Sequence, residues 1–125
     1  MENKKSILIV DDEKNLSELV ARRLAYLGYQ TYTSNSPEKV VRIAEDKKPS
    51  LILLDVTMPK ISGLEVCQKI RGSKKIKNTP VIFISGKATV EDKAKGLACG
   101  AKDYLTKPFD FNELEGKVNK YLGRK

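Results

Sequence analysis

The chain contains no histidine and only two cysteines among its 125 residues, which removes several classes of chemistry at once. A Cys/His metal site, an imidazole general base and a Cys-His nucleophilic dyad all need residues that are absent or too few. Cys67 and Cys99 stand apart in sequence without metal-ligand spacing, so each is expected as a small buried apolar residue. Aromatic residues make up 6%, too sparse for a platform on which nucleic-acid bases could stack. No apolar run approaches the roughly 20 residues needed to cross a bilayer, and the first five residues lead into only a short apolar stretch. No membrane association and a cytoplasmic location are therefore expected. Low-complexity tracts and internal repeats are also missing, which argues against a disordered or solenoid chain.

What is present fits one folded domain over 1–125, with disorder confined to the ends. At this length about two-thirds of the unfolded surface can be buried, and 40% of the residues are hydrophobic. The formal charge is +8, from 24 basic and 16 acidic residues, which raises the question of nucleic acid. The basic residues are scattered over the termini, the helices and one loop (Lys69, Arg71, Lys74, Lys75, Lys77), with no DNA-reading motif, so direct nucleic-acid binding is disfavoured. An acidic partner surface fits the excess better, and binding to such a partner would weaken with ionic strength.

Five apolar or β-rich segments alternate with five helical ones, which favours an α/β domain with a parallel sheet. Ser6-Ile7-Leu8-Ile9-Val10, Leu51-Ile52-Leu53-Leu54 and Val81-Ile82-Phe83-Ile84 are continuous apolar runs suited to central strands covered on both faces. Residues 29–33 and 103–106 are more polar and suit the edges. Leu16, Leu19, Val20, Leu24 and Leu27 predict a first helix stopped by Gly28, and Ser36-Pro37 predicts a capped second helix carrying Val40, Val41 and Ala44, with Pro49 just beyond it. Gly63 to Arg71 gives a third helix, and Val90, Ala94 and Leu97 give a fourth that contains Gly96 and stops near Gly100. Asp110 and Glu113 form a capping-box pattern ahead of a last helix whose stripe is Leu114, Val118, Tyr121 and Leu122.

Ligands of parallel α/β sheets bind outside the carboxyl ends of the strands. There the sequence places Asp11 and Asp12 after the first strand, Asp55 at the end of the third, Ser85 at the end of the fourth, and Lys107 with Pro108 after the fifth. Three crowded carboxylates need a cation, and oxygen donors without His or Cys point to a hard divalent ion, Mg²⁺, with Mn²⁺ as a substitute. Lys107 suits phosphate oxygens, Ser85 can donate a hydrogen bond, and Asp55 can accept a phosphoryl group as an acyl phosphate. Such transfer needs positioning and charge neutralisation more than a general base, so the lack of histidine is no obstacle.

Ile9-Val10-Asp11-Asp12-Glu13, Asp55 with Met58-Pro59 and Gly63, Ser85, Gly100-Ala101, Asp103-Tyr104 and Lys107-Pro108-Phe109 occur in this order along the chain. In this it resembles, over its whole length, the receiver domains of bacterial two-component response regulators. The resemblance implies a flavodoxin-like, doubly wound (βα)5 three-layer sandwich with a five-stranded parallel sheet in the order 2-1-3-4-5. It implies Asp11, Asp12, Asp55 and the carbonyl of Thr57 as metal ligands, Asp55 as phosphoacceptor, Ser85 and Lys107 as phosphoryl contacts, and a cis Lys107-Pro108 bond. Ser85, Tyr104 and Pro108 would take part in a switch that turns Tyr104 inward and alters the surface of the fourth helix, fifth strand and fifth helix. A sensor histidine kinase or histidine phosphotransfer protein would supply the phosphoryl group, and a downstream protein or a lost output domain would read the result, with a phosphorylation-dependent dimer as a further expectation. Only self-catalysed phosphorylation and dephosphorylation is implied, not enzymatic turnover. Gly86 and Gly96 stand where alanine is commoner in the family, which suggests a more mobile loop and fourth helix. Lys87 and Thr57 would flank the site and influence water access.

Two other readings use the same residues. A Mg²⁺-dependent aspartyl-phosphate phosphohydrolase would want an acid/base residue and a substrate cap, and would turn over small phosphate esters repeatedly. A flavodoxin-like electron carrier would need a Gly/Ser/Thr-rich phosphate loop where this chain has acids. The end at 123–125, just after the last helix, fits a single-domain regulator or a receiver cut from a longer protein.

Overall fold

Successive side chains on a strand point to opposite faces, so an uninterrupted apolar run is fully buried only when both faces are covered. In the computed structural model, which describes residues 4–56, 62–86 and 96–123, that requirement is met. Strands β1 (Ser6–Val10), β2 (Gln30–Ser34), β3 (Leu51–Asp55), β4 (Val81–Ser85) and β5 (Asp103–Thr106) form one parallel sheet in the order β2-β1-β3-β4-β5. This is the flavodoxin-like, doubly wound order expected from the resemblance.

Helix α1 (Lys14–Tyr26) and the C-terminal helix (Phe111–Leu122) cover one face, while α2 (Val40–Lys47) and α3 (Gly63–Arg71) cover the other. Strand alternation splits each apolar run between two cores. Ile7, Ile9, Leu51 and Leu53 pack with Val20, Leu24, Leu114 and Val118. Leu8, Val10, Ile52 and Leu54 pack with Val40, Ala44, Val66 and Ile70. Each such side chain contributes about 1.5–3 kcal/mol by leaving water. The polar strands β2 and β5 occupy the two edges, as expected.

Several local features differ from the sequence reading. Strand β2 starts one residue later than 29, because Gln30 pairs with Ser6. Tyr29 instead enters the α1-side core, and its hydroxyl donates to Asn119 Oδ1 at 2.8 Å. Ser36 does not cap α2 with its side chain; Pro37–Lys39 forms a 3₁₀ turn first, and Ser34 Oγ serves that turn, donating to the Ser36 carbonyl at 2.9 Å. Leu19 falls beside the row of Leu16, Val20 and Leu24, so it stays 49% exposed. Ser62, unread as a cap, accepts a hydrogen bond from Glu65 N–H at 3.3 Å and starts α3. Asp110 caps the C-terminal helix as expected, accepting from Glu113 N–H at 2.7 Å. Residues 96–98 are helical, while Val90 and Ala94 of the expected fourth helix lie outside the described residues.

Candidate functional site

Parallel pairing brings every strand's carboxyl end to one edge, and register decides which residues meet there. Val10 pairs with Leu54, so Asp11 and Asp55 come side by side at the ends of β1 and β3. Ser85 pairs with Thr106, and Lys107 N–H donates to the Ser85 carbonyl at 2.8 Å, which fixes where the lysine leaves β5. The Lys107-Pro108 bond is cis, as expected. Gly63 has a steric reason: a Cβ there would lie 2.4 Å from the Asp55 carbonyl, and Gly63 N–H donates to the Val56 carbonyl at 2.9 Å. Only glycine lets α3 begin this close to the end of β3.

Asp11, Asp12 and Asp55 each present a carboxylate oxygen, and these atoms lie within 4.8 Å of one another. Asp11 and Asp55 are each only 3% exposed, whereas Asp12 faces solvent. Buried like charges at this separation repel unless a cation lies among them. The Lys107 ammonium supplies one, 2.9 Å from Asp11 Oδ2, 2.8 Å from Glu13 Oε1 and 3.5 Å from Asp55 Oδ2. Burial alone would lower the lysine's pKa, but hydrogen bonds to Glu13 and Asp11 and the field of Asp55 overcome it and hold the ammonium well above its ordinary range. One ammonium does not neutralise this many carboxylates, and an all-oxygen, acidic donor set with one member open to solvent fits Mg²⁺.

Asp11 also shapes the turn ahead of α1: its Oδ1 accepts from Glu13 N–H at 2.8 Å while Oδ2 faces Lys107. Ser85 is fully buried at the end of β4. Tyr104 is half-buried on β5, its ring edge-on to Phe83 with centroids 6.4 Å apart. Pro108 is exposed. The expected carbonyl ligand of Thr57, together with Met58, Pro59 and Lys87, lies outside the described residues.

Two supporting residues were not singled out from the sequence. Glu13 is the nearest acid to Lys107, and Asn35, just after β2, donates through Nδ2 to the Asp11 carbonyl at 2.8 Å and to Ser17 Oγ at 3.2 Å. Only the adjacency of β1 and β2 reveals the role of Asn35. The two cysteines, distant in sequence, also meet: Cys67 Sγ donates to the Cys99 carbonyl at 3.4 Å.

Residues 7–119 match the family model for the response regulator receiver domain. The chain is 39% identical over 122 residues to the probable transcriptional regulator ycf27 of Cyanophora paradoxa, covering 98% of this chain and 50% of that protein. It is 40% identical over 120 residues to the alkaline phosphatase synthesis transcriptional regulatory protein PhoP of Bacillus subtilis, covering 96% and 49% respectively. The chain thus spans about half the length of these curated relatives. Among solved structures, chemotaxis protein CheY4 of Vibrio cholerae superposes with a TM-score of 0.90 at 27% identity, covering 95% of this chain and 99% of that one. The chain therefore belongs to the response regulator receiver domains, which are phosphorylation-dependent signalling switches.

Proposed function

We propose that Asp55 is the phosphoacceptor of this receiver, that Asp11, Asp12, Asp55 and the carbonyl of Thr57 hold Mg²⁺, and that Ser85 and Lys107 take the phosphoryl oxygens. The observation that carries this reading is the meeting of three carboxylate oxygens within 4.8 Å beside the Lys107 ammonium. Bound Mg²⁺ would supply charge neutralisation on the transferring group.

An Asp55 oxygen attacks phosphorus, the P–N bond to a phosphohistidine (or the P–O bond of a small acyl phosphate) breaks, and its electron pair leaves with the donor. Asp55 thereby exchanges a carboxylate for an acyl phosphate with more negative charge and more acceptor oxygens. Lys107 Nζ, 3.5 Å from Asp55 Oδ2, pairs with that new charge, and the Ser85 hydroxyl donates to a phosphoryl oxygen. Attack by water on the same phosphorus breaks the P–O bond to Asp55 and resets the site, so the chain acts catalytically only on itself.

Movement of Ser85 and Lys107 toward the phosphoryl group biases Tyr104 inward and alters the surface around β5 and the C-terminal helix, a population shift between two states. A downstream protein, an output domain or a second copy of the receiver reads that surface. Because relatives are named as transcriptional regulators and extend to about twice this length, DNA contact is assigned to an output region rather than to this fold.

The test is intact mass after incubation with Mg²⁺ and acetyl phosphate. The chain should gain one phosphoryl group, and Asp55→Asn should gain none; an equal gain in the variant, or a gain unchanged by removing Mg²⁺, would contradict the assignment.

A further inference from the structure

We propose that Cys67 and Cys99 form an oxidisable dithiol site that closes to a disulfide, joining α3 to the turn before β5. Three contacts hold the turn against α3. Cys67 Sγ donates to the Cys99 carbonyl at 3.4 Å, Cys99 Sγ donates to the Leu64 carbonyl at 3.9 Å, and Arg71 Nη2 donates to the Gly100 carbonyl at 2.9 Å. Leu64, Cys67 and Arg71 occupy one face of α3 at helical spacing, so the 99–100 peptide lies along that face.

The environments of the two sulfurs differ in a way that assigns their roles. Cys99 is half-buried and lines an open cleft of about 660 Å³ together with Leu64, Gln68, Arg71, Ala98 and Gly100. Cys67 is fully buried behind it. Burial, followed by the hydrogen bond and charge of Cys99, pushes the Cys67 thiol up to about 12, so Cys67 stays protonated at neutral pH. A peroxide entering the cleft therefore meets Cys99 first.

The oxidant is hydrogen peroxide. Cys99 sulfur attacks a peroxide oxygen; an S–O bond forms, the O–O bond breaks, the sulfur loses two electrons as the peroxide is reduced, and the departing hydroxide leaves as water with the Cys99 proton. Cys67 then attacks the sulfenic sulfur; an S–S bond forms, the S–O bond breaks, and the departing hydroxide takes the Cys67 proton as water. Two thiols and one peroxide become one disulfide and two waters. The clamp fixes the turn that leads into the strand carrying Tyr104, and its formation does not depend on phosphorylation.

The full chain, exposed to a small excess of hydrogen peroxide, is denatured, blocked with N-ethylmaleimide, and analysed by intact mass and non-reducing peptide mapping. The expected product has lost two hydrogens, takes up no maleimide, and yields one linked peptide pair containing Cys67 and Cys99. In Cys67→Ser the sulfenic acid on Cys99 should persist and be trapped by dimedone. Retained oxygen on Cys99 of the unmutated chain, disulfide-linked dimers without the internal link, or two thiols still free to react with maleimide would each overturn the proposal.

Discussion

Lys107 lies 2.9 Å from Asp11, 2.8 Å from Glu13 and 3.5 Å from Asp55, so its charge occupies the same acidic cluster that suits a divalent cation. Removing it should affect two measurements in opposite directions. In Lys107→Ala, Mg²⁺ affinity should rise on the order of tenfold, because a competing positive charge is gone. Phosphorylation by acetyl phosphate should slow on the order of 100-fold, because an electrostatic partner of the transferring group is gone. Calorimetric titration and a mass time course check the pair; weaker Mg²⁺ binding with an unchanged rate would contradict the roles given to Lys107. The meeting of Asp11, Asp12, Asp55 and Lys107 was legible in the sequence because each stands at the end of a parallel strand. Glu13 and Asn35 were not, since what they do depends on which strand and loop lie alongside.

Among the elements, the apolar strands were the easiest to read because a continuous run has few ways to be buried. The starts of α2 and β2 were harder, since a 3₁₀ turn and a one-residue register choice depend on neighbours. Gly96 is another case where packing supplies the reason: a Cβ there would sit 2.5 Å from Cδ2 of Phe83, a fully buried ring. Alanine would gain about 1 kcal/mol in helix propensity but cost about 1–3 kcal/mol in overpacking. Gly96→Ala should therefore be destabilising by about 1 kcal/mol in urea unfolding, and most of that cost should vanish when Phe83→Leu is also present.

Asp103 ties β5 to the C-terminal helix, accepting from Lys117 Nζ at 3.0 Å, Tyr121 Oη at 3.0 Å and Tyr104 N–H at 2.8 Å. Burial would raise its pKa, but these hydrogen bonds and the Lys117 charge outweigh it and hold the carboxyl below its ordinary 3.8. A depressed carboxyl contributes stability above its unfolded value and loses it as pH falls through the folded one. Asp103→Asn should thus be less stable than the unmutated chain at pH 7, and the difference should shrink below pH 3.8. Urea midpoints at the two acidities check this.

At the scale of the molecule, the alternation of strand and helix patterns was enough to reach an α/β parallel sheet, while the strand order rested on the resemblance to receiver domains. The meeting of Cys67 and Cys99 was not legible at all, because it depends on α3 and the turn before β5 sharing one side of the sheet. If the acidic edge binds Mg²⁺ in the folded chain alone, the ion should stabilise the whole domain. At about 100 times its dissociation constant the gain is about 2.7 kcal/mol, visible as a rise in the urea midpoint. Asp11→Asn should lose most of that gain.

The most direct measurement is to locate the phosphoryl group. After incubation with Mg²⁺ and acetyl phosphate, borohydride reduction converts an acyl phosphate into a stable alcohol whose position can be read by peptide sequencing in the mass spectrometer. Reduction at Asp55 alone, abolished when Mg²⁺ is removed, is the result expected of this site. Modification of Asp11, Asp12 or another residue, or labelling of Asp55 that persists without Mg²⁺, would contradict it.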